Sequence, residues 1–233
     1  MSPAAPAEGE TRAWYRLTPT EQAALTAAGY HRSWSVGETI VSQGGPPDGM
    51  YIILRGLVKI SVTNDRGEHA PIAARGAGEI VGELGPIGNR PRTATMEALT
   101  EVMALVIPPE RLRTVLRTRP HIAEELIRAA AVRFEQAAHL HLEAGGPDFP
   151  QRLASVLLEL AVQCAPHAPD DTPIALPFTQ EDLASLARVS RSTFIRGLEE
   201  LRRQNMVQTS RGRTTIVDLP ALRQHAGERR PSS

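Results

Sequence analysis

The sequence predicts an α+β fold in three parts: an antiparallel β-roll of jelly-roll type, a long helix, and a C-terminal winged helix-turn-helix. Three observations carry that prediction. Residues 33–107 hold short β-branched runs ("ETIVS", "MYIILRG", "LVKISVT", "EVMALVI") cut by turns rich in glycine and proline. Residues 121–143 switch to a helical period. Residues 179–218 then read as helix, three-residue turn, helix, strand, glycine-centred turn and strand.

Each part can be justified in chain order. Residues 1–12, rich in Ala, Pro and Glu, are expected to be a disordered tail. In "LTPTEQAALTAAGY", Thr18 suits an N-cap, Pro19 the first helical position and Gly29 the end of a short helix. The β-roll is expected over residues 13–110, because runs of this length separated by such turns fit a compact antiparallel structure. A helical region follows over residues 111–145. In it Ala123, Ile127, Ala130, Phe134, Ala137 and His141 recur with heptad spacing. The small alanines would permit close approach, so this seam is expected to join two copies of the chain. Gly145, Gly146, Pro147 and Pro150 mark a hinge at residues 146–150, with Asp148 a cap for the next helix. Residues 151–222 are expected to form the helix-turn-helix unit, with "APHAPDDTPIALP" as a loop inside it, and residues 223–233 a second disordered tail.

Composition limits the function classes. At 233 residues and 41% hydrophobic content the chain can bury a core, yet no run of about 18 apolar residues occurs. Neither a membrane span nor a secretory signal is expected, which suits the cytoplasm. The single cysteine, Cys164, excludes an intrachain disulfide and any cysteine-only metal or iron–sulfur site within one chain. No metal is expected. The residues show no nucleophile elbow, metal-ligand spacing or P-loop, so an enzyme is not expected. Net charge is zero, but it is unevenly spread. Residues 179–233 carry ten Arg against six acids, and the rest of the chain sixteen Lys or Arg against twenty acids. A basic end fits a surface that meets phosphates.

That end has the details of a DNA reader. Thr179 can cap a helix through Ala187, with Asp182 completing a capping box and Leu183, Leu186 and Ala187 buried. "RVS" is the turn, and Ser190 caps a second helix that starts at Arg191. Val189, Phe194, Leu198 and Leu201 would face inward, leaving Arg191, Ser192 and Arg196 outward, with Thr193 beside them. A second helix so placed lies in the major groove, where an Arg can bond guanine in bidentate fashion. Arg211 and Arg213, at the hairpin tip "SRGR", would meet phosphates. Arg188 sits where such turns favour glycine, so a strained backbone is expected there. Gly197 lies mid-helix at a cost of about 1 kcal/mol. It is expected to make room for the Phe194 ring or for a neighbouring helix.

The stretch "GELGPIGNRPRTA" (82–94) packs glycines and prolines around one acid and two arginines. With the rhythm "VGETIVSQGGPPDGMYIILRGLVKI" and the order of parts above, it resembles the superfamily of the cyclic-AMP receptor protein and the fumarate–nitrate reduction regulator. The resemblance spans about residues 17–219. Its cassette spacing also matches the cyclic-nucleotide domains of eukaryotic kinases. What it implies is a homodimeric, ligand-switched transcription regulator. Arg92 would bridge the two exocyclic oxygens of a cyclic phosphate, aided by Thr93 and by backbone N–H groups at 82–85. Glu83 would accept a bond from the ribose 2′-hydroxyl. Gly82 and Gly85 would let backbone approach the ligand, and Leu84 completes the motif.

Where the family's cyclic-AMP-binding members bond the adenine through adjacent Thr and Ser, this chain has Ala137 and Ala138. Base recognition is therefore open between cyclic AMP, cyclic GMP and a larger cyclic dinucleotide. Ser192 replaces a Glu that reads cytosine in the founding member, which implies a different half-site. The partners implied are a near-palindromic DNA duplex with half-sites ~34 Å apart, a second copy of the chain, and RNA polymerase. Two rivals on the same fold are a haem or gas sensor, with His31 or His69 as axial ligand, and a regulator acting with no small ligand.

Overall fold

A computed structural model describes residues 12–142, 149–166, 168–210 and 213–227, with side chains in the first segment described up to residue 135. The chain forms two compact units: residues up to His69 with Arg75–Ala137, and Ala70–Ala74 with the residues from Ala138 on.

The first unit opens with two helices, α1 (Ala13–Arg16) and α2 (Pro19–Ala28). Thr18 caps α2 as expected: its hydroxyl accepts from the Glu21 N–H at 3.3 Å, and Glu21 accepts in return from the Thr18 N–H at 2.8 Å. Six strands follow: β1 (Tyr30–Trp34), β2 (Thr39–Val41), β3 (Met50–Arg55), β4 (Val58–Thr63), β5 (His69–Arg75) and β6 (Ile80–Val81). After a short helix, α3 (Leu84–Gly88), come β7 (Thr95–Ala98) and β8 (Val102–Ile107). They build two four-stranded sheets, in the orders β1-β8-β3-β6 and β2-β7-β4-β5. Helix α4 (Pro109–Thr118) and the greater part of α5 (Pro120–Leu142), as far as Ala137, complete the unit.

The roll is built around two strands that are buried on both faces. From β3 and β8, Tyr51, Ile53, Val102, Ala104 and Val106 enter a core between the sheets, with Val58 and Met96 from the other sheet. The alternate residues Met50, Ile52, Leu105 and Ile107 enter a second core roofed by Trp14, Leu25, Leu112 and Ile122. Strands wanted apolar on both sides read as near-continuous hydrophobic runs, which is why these two are plain in the sequence. Strand β1 is not: of "YHRSW" only Trp34 is buried, and the rest is an exposed edge.

Helix α5 shows two faces. Ile122 and Leu126 pack into the second core, while Ile127 and Phe134, one heptad apart, are 69% and 76% exposed. Ala123 and Ala130 are half-buried. The side chains of Ala137 and His141 lie outside the described residues.

The second unit contains α6 (Phe149–Cys164), β9 (Ile174–Leu176), α7 (Gln180–Leu186), α8 (Arg191–Arg203), β10 (Val207–Ser210), β11 (Arg213–Ile216) and α9 (Leu219–His225). The strands form one antiparallel sheet, ordered β10-β11-β9, and α6 packs on α8 and α9.

Several boundaries need correction. Arg12 is not tail: it is buried, and its guanidinium donates to the Ala77 carbonyl at 3.1 Å. Phe149 and Pro150, assigned to the hinge, are the first residues of α6. The loop after α6 contains β9, whose pairing with β11 gives the wing a third strand. The second tail begins late, because Asp218 caps α9 and the helix runs through His225. Residues 1–11, 143–148 and 228–233 lie outside the described residues. No helix among the described residues is long and apolar enough to cross a membrane.

Candidate functional site

Strand β6 delivers the chain into the cassette, and Gly82 turns it. Its φ is +71°, and Glu83 after it returns to the right-handed region. Such a reversal aims successive N–H groups into one concavity. Glycine is needed twice over here, because a Cβ would stand 2.8 Å from Nη1 of Arg92. Gly85 is buried in the first turn of α3, while Leu84 is exposed. Asn89 closes α3 in the left-handed region.

Arg92 is the centre of the site. Its backbone is pinned on both sides: its N–H donates to the Gly45 carbonyl at 2.9 Å and its carbonyl accepts from the Gly44 N–H at 2.8 Å. The guanidinium is buried, with the residue only 5% exposed. Nη1 donates to the Gly82 carbonyl at 2.7 Å, and Nη2 donates to the Gly49 carbonyl at 2.6 Å and to Oδ1 of Asp48. The plane lies 5.3 Å from the centroid of the Tyr51 ring. The buried Nε–H has no partner. Leaving a buried donor without an acceptor costs about 1–3 kcal/mol. Thr93 is exposed beside it.

Two neighbours extend the site. Tyr51 donates to Oδ1 of Asp48 at 3.1 Å; burial, and then the Asp48 charge, hold that phenol protonated well above its usual range. Glu83 is buried, and its Oε1 accepts from Nη2 of Arg133 on α5 at 2.7 Å, while Nη1 of Arg133 donates to the Ile80 carbonyl at 3.0 Å. One oxygen of the cassette acid is thus fixed by the long helix. Asp48, Tyr51 and Arg133 escaped the sequence reading. The only available signal was general: a buried acid and a buried base each need a counter-ion. Ala137 and Ala138 lie in α5, with side chains outside the described residues.

The second site lies on the other unit. The capping box at Thr179 forms, with Asp182 N–H to Thr179 Oγ1 at 3.0 Å and Thr179 N–H to Asp182 Oδ2 at 3.1 Å. Leu183, Leu186 and Ala187 are buried, as are Phe194, Leu198 and Leu201 of α8; Val189 is half-buried. Arg188 takes φ +53°, the strained turn that its lack of glycine foretells. Ser190 caps α8, accepting from the Thr193 N–H at 3.2 Å, and its hydroxyl also meets those of Ser192 at 3.0 Å and Thr193 at 2.9 Å. Arg191, Ser192 and Arg196 are exposed on one side of the helix, and Arg213 is exposed at the start of β11. Arg211 lies outside the described residues. Gly197 faces α6 rather than Phe194: a Cβ there would stand 2.5 Å from Cε1 of Phe149 and 2.9 Å from Cδ2 of Leu153.

The residues tied to rival chemistries sit elsewhere. His31 and His69 are exposed on β1 and β5, the latter beside the Thr63 hydroxyl at 3.2 Å. Burial pushes the Cys164 thiol up to about 12, so little thiolate forms at neutral pH.

The family model of the cyclic nucleotide-binding domain matches residues 31–119, and that of the Crp-like helix-turn-helix domain matches residues 151–225. A CRP-like cAMP-activated global transcriptional regulator of Mycobacterium tuberculosis is 29% identical over 210 residues, covering 90% of this chain and 94% of the relative. Among solved structures, FixK2 from Bradyrhizobium japonicum aligns with a TM-score of 0.69 at 18% identity, covering 88% of this chain and 99% of that one. The c-di-GMP responsive regulator CLP of Xanthomonas campestris aligns with a TM-score of 0.65 at 20% identity, covering 86% and 99%. With a cyclic-nucleotide roll at one end and a DNA-reading helix pair at the other, the chain belongs to the superfamily of the cyclic-AMP receptor protein and the fumarate–nitrate reduction regulator, whose members are DNA-binding transcription regulators.

Proposed function

We propose that this regulator is switched by a cyclic nucleotide whose phosphate binds Arg92, and that two copies joined along α5 then read a near-palindromic duplex. The observation that carries the effector reading is the buried, partnerless Nε–H of Arg92. Nε and the adjacent Nη2 form one edge of the guanidinium, and such an edge fits two phosphate oxygens side by side. Lys could not offer that edge. The free oxygen of Glu83, held in place through Arg133, suits a ribose hydroxyl. A Cβ at Gly82 would crowd Nη1 of Arg92 at 2.8 Å, and one at Gly85 would press on Pro47 at 3.1 Å, so glycine at both positions preserves the shape of the cassette. The mycobacterial relative's cAMP-activated name favours cyclic AMP, and the Xanthomonas regulator keeps a cyclic dinucleotide in play.

Dimerisation rests on Ile127 and Phe134, whose exposure on one helix face leaves a heptad stripe for a second copy. Arg191, Ser192, Thr193 and Arg196 are the proposed base readers, with Arg211 and Arg213 on phosphates and the N-termini at Thr179 and Ser190 near the backbone. RNA polymerase is the expected further partner, and the cytoplasm the expected compartment.

One observation favours a second reading: Arg92 already has three protein acceptors, as a purely structural brace would. Calorimetric titration with cyclic AMP, cyclic GMP and a cyclic dinucleotide separates the two. Saturable binding that disappears in Arg92→Ala supports the effector site. Equal binding by the variant, or none by the wild type, supports the brace.

A further inference from the structure

Resting on the effector reading above, we infer that Asp48 is a built-in competitor for the phosphate seat on Arg92 and thereby sets the effector concentration at which the switch responds. The geometry points to competition rather than support. A phosphate that uses Nε–H on its side-on edge must also take an N–H of Nη2. Both N–H groups of Nη2 are already committed, one to the Gly49 carbonyl and one to Oδ1 of Asp48. The carbonyl is fixed backbone, at the head of β3. Asp48 is a side chain and can move.

Burial says which partner moves. The Arg92 side chain is 4% exposed, whereas that of Asp48 is 54% exposed. Asp48 can therefore swing into water and be solvated there, at little desolvation cost. Arg92 cannot follow it without leaving the Gly82 and Gly49 carbonyls. Charge adds to the argument. A phosphodiester arriving beside an ionised Asp48 meets a like charge within a few ångströms, and like charges held together repel. The carboxylate supplies to Arg92 the same kind of charge-assisted bond that the ligand would offer, so ligand binding exchanges one anion for another.

Tyr51 keeps the competitor in position. Its hydroxyl donates to the same Oδ1, and its ring lies beneath the guanidinium. The loop carrying Asp48 is stiffened by Pro46 and Pro47, with the Asp48 N–H donating to the Pro46 carbonyl at 2.9 Å. The carboxylate is thus presented to Arg92 by a shaped loop and a tyrosine. Tyr51 also stacks edge-on with Trp34, ring centroids 6.1 Å apart, so displacement of Asp48 should alter the environment of a tryptophan.

The test is titration of the full chain with cyclic AMP and with cyclic GMP, in the wild type and in Asp48→Asn, Asp48→Ala and Arg92→Ala. The expected order of affinity is Asp48→Ala above Asp48→Asn above wild type. The alanine variant should gain roughly tenfold to a hundredfold, since Asn keeps an acceptor while losing the charge. Arg92→Ala should not bind. If Arg92→Ala abolishes binding but the Asp48 variants bind as the wild type does, or more weakly, the competitor idea is overturned while the effector site stands. Should Arg92→Ala bind normally, or no protein bind at all, both fall. Because Asp48→Ala leaves Arg92 short of an anion and could fold poorly, Tyr51→Phe serves as a second probe. It loosens Asp48 without unpairing Arg92, and should raise affinity by a smaller factor in a chain that melts near the wild-type temperature.

Discussion

The two cationic sites of this molecule are built on opposite principles. Arg92 is buried, fixed by three protein acceptors and a ring, and left with one donor unmet. Arg191 and Arg196 stand in solvent, and Arg196 makes only a long contact to its own helix, 3.5 Å to the Thr193 hydroxyl. A buried cation interacts strongly with a small anion of matching shape and is little screened by salt. Exposed arginines on a short helix suit a polyanion, to which each contributes modestly and in a salt-dependent way. On the function proposed above, selectivity for a small effector and adaptable contact with a duplex would come from different placements of the same side chain.

Conservative replacement should break this symmetry most visibly. Arg92→Lys keeps the charge but loses the side-on edge, and cyclic-nucleotide affinity is expected to fall by about a hundredfold, measured calorimetrically. Arg196→Lys keeps attraction to phosphate but loses bidentate base contact. Its cost at the preferred duplex is expected to be about 1–3 kcal/mol, with affinity for unrelated duplexes nearly unchanged in fluorescence anisotropy. Equal losses on specific and unrelated DNA would remove Arg196 from base reading.

The reading unit also depends on what lies beneath its exposed face. Gly197→Ala gains about 1 kcal/mol of helix propensity, yet its methyl would meet the buried Phe149 ring at 2.5 Å. Overpacking at such a contact costs about 1–3 kcal/mol, so the net expectation is a lower melting temperature and weaker DNA binding. A higher melting temperature with normal DNA binding would show that α6 yields. The smallest effect is expected from Thr179→Ala, about 1 kcal/mol by loss of the capping box. Thermal unfolding would measure it, with the effector site unaffected.

Legibility differed between the two sites for a physical reason. Helix caps, the strained Arg188 and the inward face of α8 are local features, set within four or five residues, and each stands where the pattern placed it. Strands β3 and β8 were legible because burial on both faces leaves no polar alternation to confuse them. By contrast β9 is three residues in a proline-rich stretch, ordered only by pairing with β11 far along the chain. The cassette motif located Gly82, Glu83 and Arg92, but not their partners. Asp48 lies forty-four residues from Arg92, and Arg133 fifty from Glu83. No periodicity links such pairs; only the closed roll and the return of α5 bring them together.

The most direct measurement is a heteronuclear NMR spectrum of arginine side-chain Nε–H groups, with the Arg92 signal assigned by its absence from Arg92→Lys. On saturation with a cyclic nucleotide that signal should move strongly downfield and become protected from exchange with water, as a donor that has gained a phosphate acceptor. A nucleotide that binds fully while the Arg92 Nε–H signal stays where it was would contradict the assignment of the phosphate to Arg92.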